Sequence, residues 1–376
     1  MKTPISSFTA HRVRHGFTLV EILVSTVVLS ILMLISLTSL ESMQRSWKST
    51  RVRVEQFRGA RTAFETLSRN LSQATLNTYW DYYYTETKSN VPPVNGSTPP
   101  AGYVRQSELQ FWSGPAREAV AATADQRTYP GHGVFFQAPL GQSERHRGLA
   151  ALLNARGYYI QFGSDEARRP DFLPEAVTRV HHRYRLMEYR PPAEIATANA
   201  PGNAVYTKPD VWFREGLATS SRVVADNIVL LVIMPLVPEE SLTPGPTGQL
   251  PDPWWIAPVY RYNSRDAFNK DPQVDPVSVD VLNNIRQGTQ HLLPPQLRLT
   301  LVALDEAGAA RWAELSGDEP VDLQVDAKAA FTDPSSKQYN ADLQSVKDYF
   351  QTRKINYRVF SEVITLRNAR WDAQTF

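Results

Sequence analysis

The stretch His15-Gly16-Phe17-Thr18-Leu19-Val20-Glu21 opens an apolar run that continues to Leu40, and its reading decides how the rest of the chain is arranged. From Phe17 to Leu40 there are 24 residues and a single charge, Glu21. At about 1.5 Å per residue this length spans a hydrocarbon core of about 30 Å, so the segment reads as a membrane-crossing helix. A secretory signal has a shorter apolar region, about 7 to 15 residues, followed by a small-residue cleavage site. Neither is clear here. Instead a glycine precedes the apolar run, and a carboxylate sits one turn inside it. A carboxylate at membrane depth costs on the order of 3 kcal/mol and calls for a partner or a function. The bland alternative is a single-pass anchor whose glutamate snorkels near the cytoplasmic end.

Gly16-Phe17-Thr18-Leu19-Val20-Glu21 resembles the class III signal of type IV prepilins and type II secretion pseudopilins. The resemblance implies cleavage between Gly16 and Phe17 by a membrane aspartyl prepilin peptidase, and methylation of the new Phe17 amine. It implies an assembly role for Glu21. Its implied partners are other pilin-like subunits, the inner membrane and a secretion or pilus assembly platform. The motif covers only the first tenth of the chain.

Working outward, residues 1–16 carry Lys2, Arg12 and Arg14 and no acid. Positive charge before the first apolar segment holds that end in the cytoplasm, so the chain beyond Leu40 is expected in the periplasm or outside the cell. Past the apolar run, Phe57, Ala60, Phe64, Leu67, Leu71 and Ala74 recur at spacings of three and four, with no proline before Pro92. This predicts that the helix continues to about Leu76 with one apolar face. Its polar face is rich in arginine, from Arg45 through Arg51, Arg53, Arg58 and Arg61 to Arg69. It reads as a solvated face, or as one that pairs with acidic neighbours or lipid head groups.

The aromatic run Tyr79-Trp80-Asp81-Tyr82-Tyr83-Tyr84 precedes a loop from Lys88 to Gly102 rich in Pro, Gly, Ser and Asn. The aromatics suit either a sugar-binding patch or the closure of a helix–sheet junction. Strands are predicted near Glu108–Trp112, Gly133–Gln137, Gly157–Phe162, Thr178–Tyr189, Asn227–Val237, Gln296–Leu304 and Asn356–Arg367. Tyr184, Leu186 and Glu188 should point opposite to Arg183, Arg185 and Met187 on a half-buried strand. The unbroken run Asn227–Met234 predicts a central strand buried on both faces, or one packed on the N-terminal helix. Helices are predicted at Val277–Arg286 and Asn340–Gln351. Pro235 to Pro276 reads as irregular and carries the pair Trp254-Trp255.

Three segments resemble, more loosely, J-class minor pseudopilins and W-type minor pilins: Arg183–Leu186, Val224–Ile228 and Leu293–Leu301. The closing Thr365-Leu366-Arg367-Asn368 is similar to the end of W-type minor pilins. In size and layout the chain resembles the large prepilin-like family called Verru_Chthon cassette protein C. The expected fold is α+β: a long N-terminal helix packed on an antiparallel sheet, pilin-like. The expected organisation is a leader at 1–16, a membrane half of the helix at 17–40, an amphipathic half at 41–77 and a β-rich domain with Pro-rich insertions at 78–376.

Net charge is +2 with signs mixed, which argues against a nucleic-acid partner. The absence of cysteine excludes disulfides and thiol chemistry. No phosphate-cradling glycine loop, Gly-x-Ser-x-Gly elbow or His-Glu-x-x-His pair occurs, so neither an enzyme nor a cofactor is expected. His181-His182 alternate across a predicted strand and cannot chelate one metal together. Asp271, Asp275 and Asp280 lack the spacing of a calcium hand and read as a solvated acidic loop, so no metal is expected. Two functions stand: a filament subunit of a type II secretion or type IV pilus-like system, and a membrane-tethered binding protein or enzyme, for instance a polysaccharide-related one.

Overall fold

A computed structural model describes residues 19–94, 98–121, 124–143, 147–166, 180–193, 212–214, 216–242, 250–267, 278–279 and 285–371; within these, the side chains of residues 38, 41–42, 44–56, 278–279 and 285–286 lie outside the description. The chain divides into two compact units, one ending at Glu55 and one beginning at Gln56. Helix α1 runs Leu19–Ser72, so its first part belongs to the first unit and its last turns to the second.

The helices that follow are α2 (Ala116–Val120), α3 (Leu217–Ser220), α4 (Glu306–Ser316), α5 (Leu323–Asp326) and α6 (Ser336–Thr352). The strands are β1 (Tyr79–Tyr83), β2 (Gly102–Gln106), β3 (Trp112–Pro115), β4 (His132–Pro139), β5 (Leu153–Ser164), β6 (His182–Tyr189), β7 (Ser221–Asp226), β8 (Ile228–Leu236), β9 (Tyr262–Asn263), β10 (Ser278–Val279), β11 (Ile285–Arg286), β12 (Gln296–Leu304) and β13 (Tyr357–Thr365). All pairings among the described residues are antiparallel. A six-stranded sheet has the order β7-β6-β5-β4-β3-β9, a three-stranded sheet the order β13-β12-β8, and β1-β2 and β10-β11 form separate pairs. This is the expected α+β architecture.

The periodic residues of α1 meet the sheets as their spacing predicts. Ala60, Phe64, Leu67, Leu71 and Ala74 are buried in one cluster with β8, β12 and β13, and Phe57 packs at its edge. Phe64 stacks on Phe360 with ring centroids 5.9 Å apart. On the polar face Arg58 and Arg61 are exposed, and Arg61 pairs with Glu65 at 2.8 Å. Such an exposed pair stabilises by only about 0.3–0.5 kcal/mol.

Several expectations need correction. The strand expected at Glu108–Trp112 begins only at Trp112, because side chains satisfy the backbone before it: Leu109 N donates to Asn77 Oδ1, Gln110 N to Gln137 Oε1 and Phe111 N to Ser264 Oγ. The helix expected at Val277–Arg286 is instead, at its described residues, the hairpin β10-β11, in keeping with the β preference of Val279 and Ile285. β6 is not half-buried. Tyr184 and Leu186 join the main core, while Met187 and Tyr189 join a second aromatic core with Phe135, Tyr159, Trp212 and Phe213. β8 is buried along its whole length but, among the described residues, pairs only with β12, which holds the central position in that sheet. Its other side lies against β4, β5 and β6. Asn227, at φ 60, makes the turn by which the chain leaves the six-stranded sheet after β7 and enters the other as β8.

Two buried histidines give the fold an acid sensitivity. His132 Nδ1 accepts a hydrogen bond from Ile233 N at 3.0 Å, and burial pushes its pKa down to about 4. His291 is lowered to about 4 by burial and by the nearby Arg265 and Arg105. In the unfolded chain both titrate near 6.5, so between pH 6.5 and 4 the unfolded state binds more protons and stability falls as pH falls. Each histidine accounts for a loss on the order of 3 kcal/mol across that window. Urea midpoints measured at pH 7, 6 and 5 should decline steadily, and His132→Gln should flatten the profile relative to its own pH 7 value. A flat wild-type profile would contradict the assignment.

Candidate functional site: the N-terminal helix

Leu19–Leu37 is a stretch of 19 residues with mean hydropathy 2.5, and none of it is buried within the molecule. Helical rise makes it about 28 Å long, the thickness of a hydrocarbon core. Leucine, isoleucine and valine cover all its sides, as suits a helix surrounded by lipid rather than one packed along a stripe. Three of its hydroxyls are satisfied within the helix. Ser25 Oγ donates to Glu21 O at 2.6 Å, Thr26 Oγ1 to Leu23 O at 2.9 Å, and Ser30 Oγ to Thr26 O at 2.8 Å. In hydrocarbon an unpaired hydroxyl is costly, so these back-bonds make the polar residues compatible with the bilayer.

Glu21 lies in the first described turn of α1. The helix macrodipole favours a carboxylate at that end, which partly offsets its placement in an apolar segment. Gly16 and Phe17 lie outside the described residues.

A family model for the prokaryotic N-terminal methylation motif matches residues 11–37, a span that includes Gly16, Phe17, Glu21 and most of the apolar run. The chain carries a prepilin-type signal. No curated protein and no solved structure matches it. Signal and apolar helix together mark a prepilin-like, membrane-anchored protein.

Within the second unit this prepilin-like chain ties α1 to the sheet through polar groups that sequence reading missed. Asn70 Nδ2 donates to Tyr158 Oη at 2.7 Å, and Tyr158 Oη donates to Glu188 Oε1 at 2.9 Å. Burial, reinforced by the Glu188 carboxylate, pushes the tyrosine pKa up and keeps its proton available for this bond. The signal was a charge inside an apolar strand, as at Arg156 and Glu188, but only strand register brings such residues together.

The other candidates separate. The aromatic run from Tyr79 forms β1, whose Trp80 and Tyr82 are exposed beside Tyr103 of β2; the Tyr82 and Tyr103 rings are 5.4 Å apart. Trp80 and Tyr82 therefore point outward, while Tyr83 is buried. Trp254 and Trp255 are partly buried against the main core, with Trp255 6.4 Å from Trp371, so they are core-edge residues rather than a free patch. His182 opens β6 and stacks on Phe162 at 6.0 Å, while His181 precedes the strand and is exposed. Asp271, Asp275 and Asp280 lie outside the described residues. Among the described residues no group of three or more metal-ligating side chains gathers.

Proposed function

We propose that this prepilin-like chain is a minor pilin- or pseudopilin-like structural subunit of a type II secretion or type IV pilus-like filament. It is anchored in the inner membrane by Leu19–Leu37 with its β-rich domain periplasmic or extracellular. Its role is assembly rather than catalysis. The observation that carries this reading is the methylation motif at 11–37 leading into an apolar helix with an acid near its start. After cleavage between Gly16 and Phe17, the Phe17 amine of one subunit and the Glu21 carboxylate of the same or a neighbouring subunit pair in the low-dielectric membrane, where an unpaired charge is costly. Prepilin peptidase, other pilin-like subunits and the assembly platform are the partners this requires.

The exposed aromatics of β1 and β2 favour a second reading, a tethered binding protein that borrows the signal for sorting. Crosslinking in native membranes separates the two. A filament subunit should yield adducts with other pilin-like proteins through the N-terminal helix. Adducts confined to the prepilin peptidase, with ligand binding intact in a fragment beginning at Gln56, would favour the tethered binder.

A further inference from the structure

At one end of the six-stranded sheet, where β4 and β6 leave it and β5 and β7 enter, a polar cleft of about 400 Å³ opens. Arg156, Arg190 and Arg222 line it together with Gln142, Asn154 and Ser221, and among the described residues that line it there is no carboxylate. Register explains the gathering. Tyr158 lies opposite Glu188, and Glu188 opposite Arg222, so the side chains of Arg156, Glu188 and Arg222 lie on one face of the sheet.

The charges in this cluster do not balance. Arg222 pairs with Glu188 Oε2 at 2.6 Å, and Arg156 Nε lies 3.6 Å from Glu188 Oε1. One carboxylate thus faces two guanidinium groups, and a third, that of Arg190, makes no hydrogen bond or ion pair among the described residues. Arg156 is wholly buried. Its terminal nitrogens donate to Ala155 O and Gln142 Oε1, while Nε has no hydrogen-bond partner. Among the described residues, a fully buried guanidinium whose Nε lacks a hydrogen bond, beside a second lacking any partner, leaves about two positive charges uncompensated in a partly desolvated space. Guanidinium forks match the oxygens of phosphate and carboxylate, and the surrounding amides and hydroxyl suit a hydroxylated body. A cleft of this size falls within the range of small-molecule sites.

The geometry points to a binding site for an oxyanion-bearing, hydroxylated small molecule, a sugar phosphate or a sugar acid, held by Arg190 in this cleft with the buried charge of Arg156 behind it. The site is independent of filament assembly and goes beyond it.

The test is calorimetric titration of the detergent-solubilised full chain with glucose 6-phosphate, glucuronate, inorganic phosphate and neutral glucose. At least one of the two anionic sugars should bind one to one at millimolar concentration or below, and glucose should not. Uptake of inorganic phosphate with glucose 6-phosphate assigns the phosphate form; uptake of glucuronate alone assigns the sugar acid. Arg190→Glu should weaken binding at least about tenfold, as loss of a charge-assisted contact does, and Arg190→Lys should retain part of it. The Arg190 side chain makes no internal bond among the described residues, so both variants should melt like wild type, and the melting curve shows whether they do. No saturable heat from any anion would overturn the site, as would equal binding by Arg190→Glu and wild type. Neutral glucose binding as tightly as the anionic sugars would overturn it too.

Discussion

Glu21→Val is expected to leave the chain inserted and cleaved but to reduce its incorporation into a filament to background. Replacing a carboxylate by valine within an apolar segment makes insertion more favourable, by at most about 3 kcal/mol near the helix centre and less toward its end. Anchoring therefore cannot suffer. Gly16 and the basic leader are untouched, so processing should persist as well. What is lost is the carboxylate that meets an N-terminal amine inside the bilayer, and leaving that amine uncompensated at low dielectric costs several times thermal energy. Crosslinking to other pilin-like subunits, scored beside a processing assay on the same membranes, separates the two effects. A Val variant that is cleaved and crosslinks like wild type would remove the assembly role of Glu21 and favour the tethered binder.

The largest stability effect in the globular unit is expected at Gly131. Its φ is +69°, and a Cβ placed there would lie 2.4 Å from Leu231 O and 3.1 Å from Leu230 Cδ1. Leu231 O is a backbone atom of β8, so no rotamer change relieves the clash. Gly131 O also accepts the Ala116 N hydrogen bond at 2.9 Å that starts α2. Gly131→Ala should therefore cost on the order of 3–5 kcal/mol, combining left-handed strain with overpacking where the two sheets meet. Gly148 supplies the control: φ is +82°, yet nothing lies within 4 Å of a built Cβ. Gly148→Ala should cost only about 1 kcal/mol. Equal urea midpoints for the two variants would show that Gly131 is not wedged against β8.

Features carried by local periodicity were legible in the sequence. The three-and-four spacing from Ala60 to Ala74 identified the buried face of α1, and the apolar pattern of Gln296–Leu304 matched β12 at both ends. The run Ile228–Met234 announced its burial, but sheet position depends on which strands pair, and so β8 proved an edge strand covered by the neighbouring sheet. Polar or aromatic edge strands were not legible. β7, Ser221–Asp226, is exposed at Arg222 and Asp226, half-buried elsewhere and lacks an apolar alternation, and β1 was read as an aromatic cluster without a pairing partner. Side chains competing with the ladder, from Asn77, Gln137 and Ser264, moved the start of β3 in a way propensity does not register.

The candidate site divides along the same line. Glu21 stood out because a single charge interrupts an apolar run, a purely local signal. Arg156, Glu188 and Arg222 come from three strands and are adjacent only through register, so nothing within a window of residues marks them as one cluster.

The central claim is that the N-terminal segment is a cleavable prepilin signal rather than an ordinary anchor. Mass spectrometry of the N-terminal peptide of the native membrane protein tests this most directly, with and without prepilin peptidase. The account predicts a mature chain beginning at Phe17 and methylated on its amine, produced only when the peptidase is present. An intact leader, or cleavage after the apolar run, would contradict it.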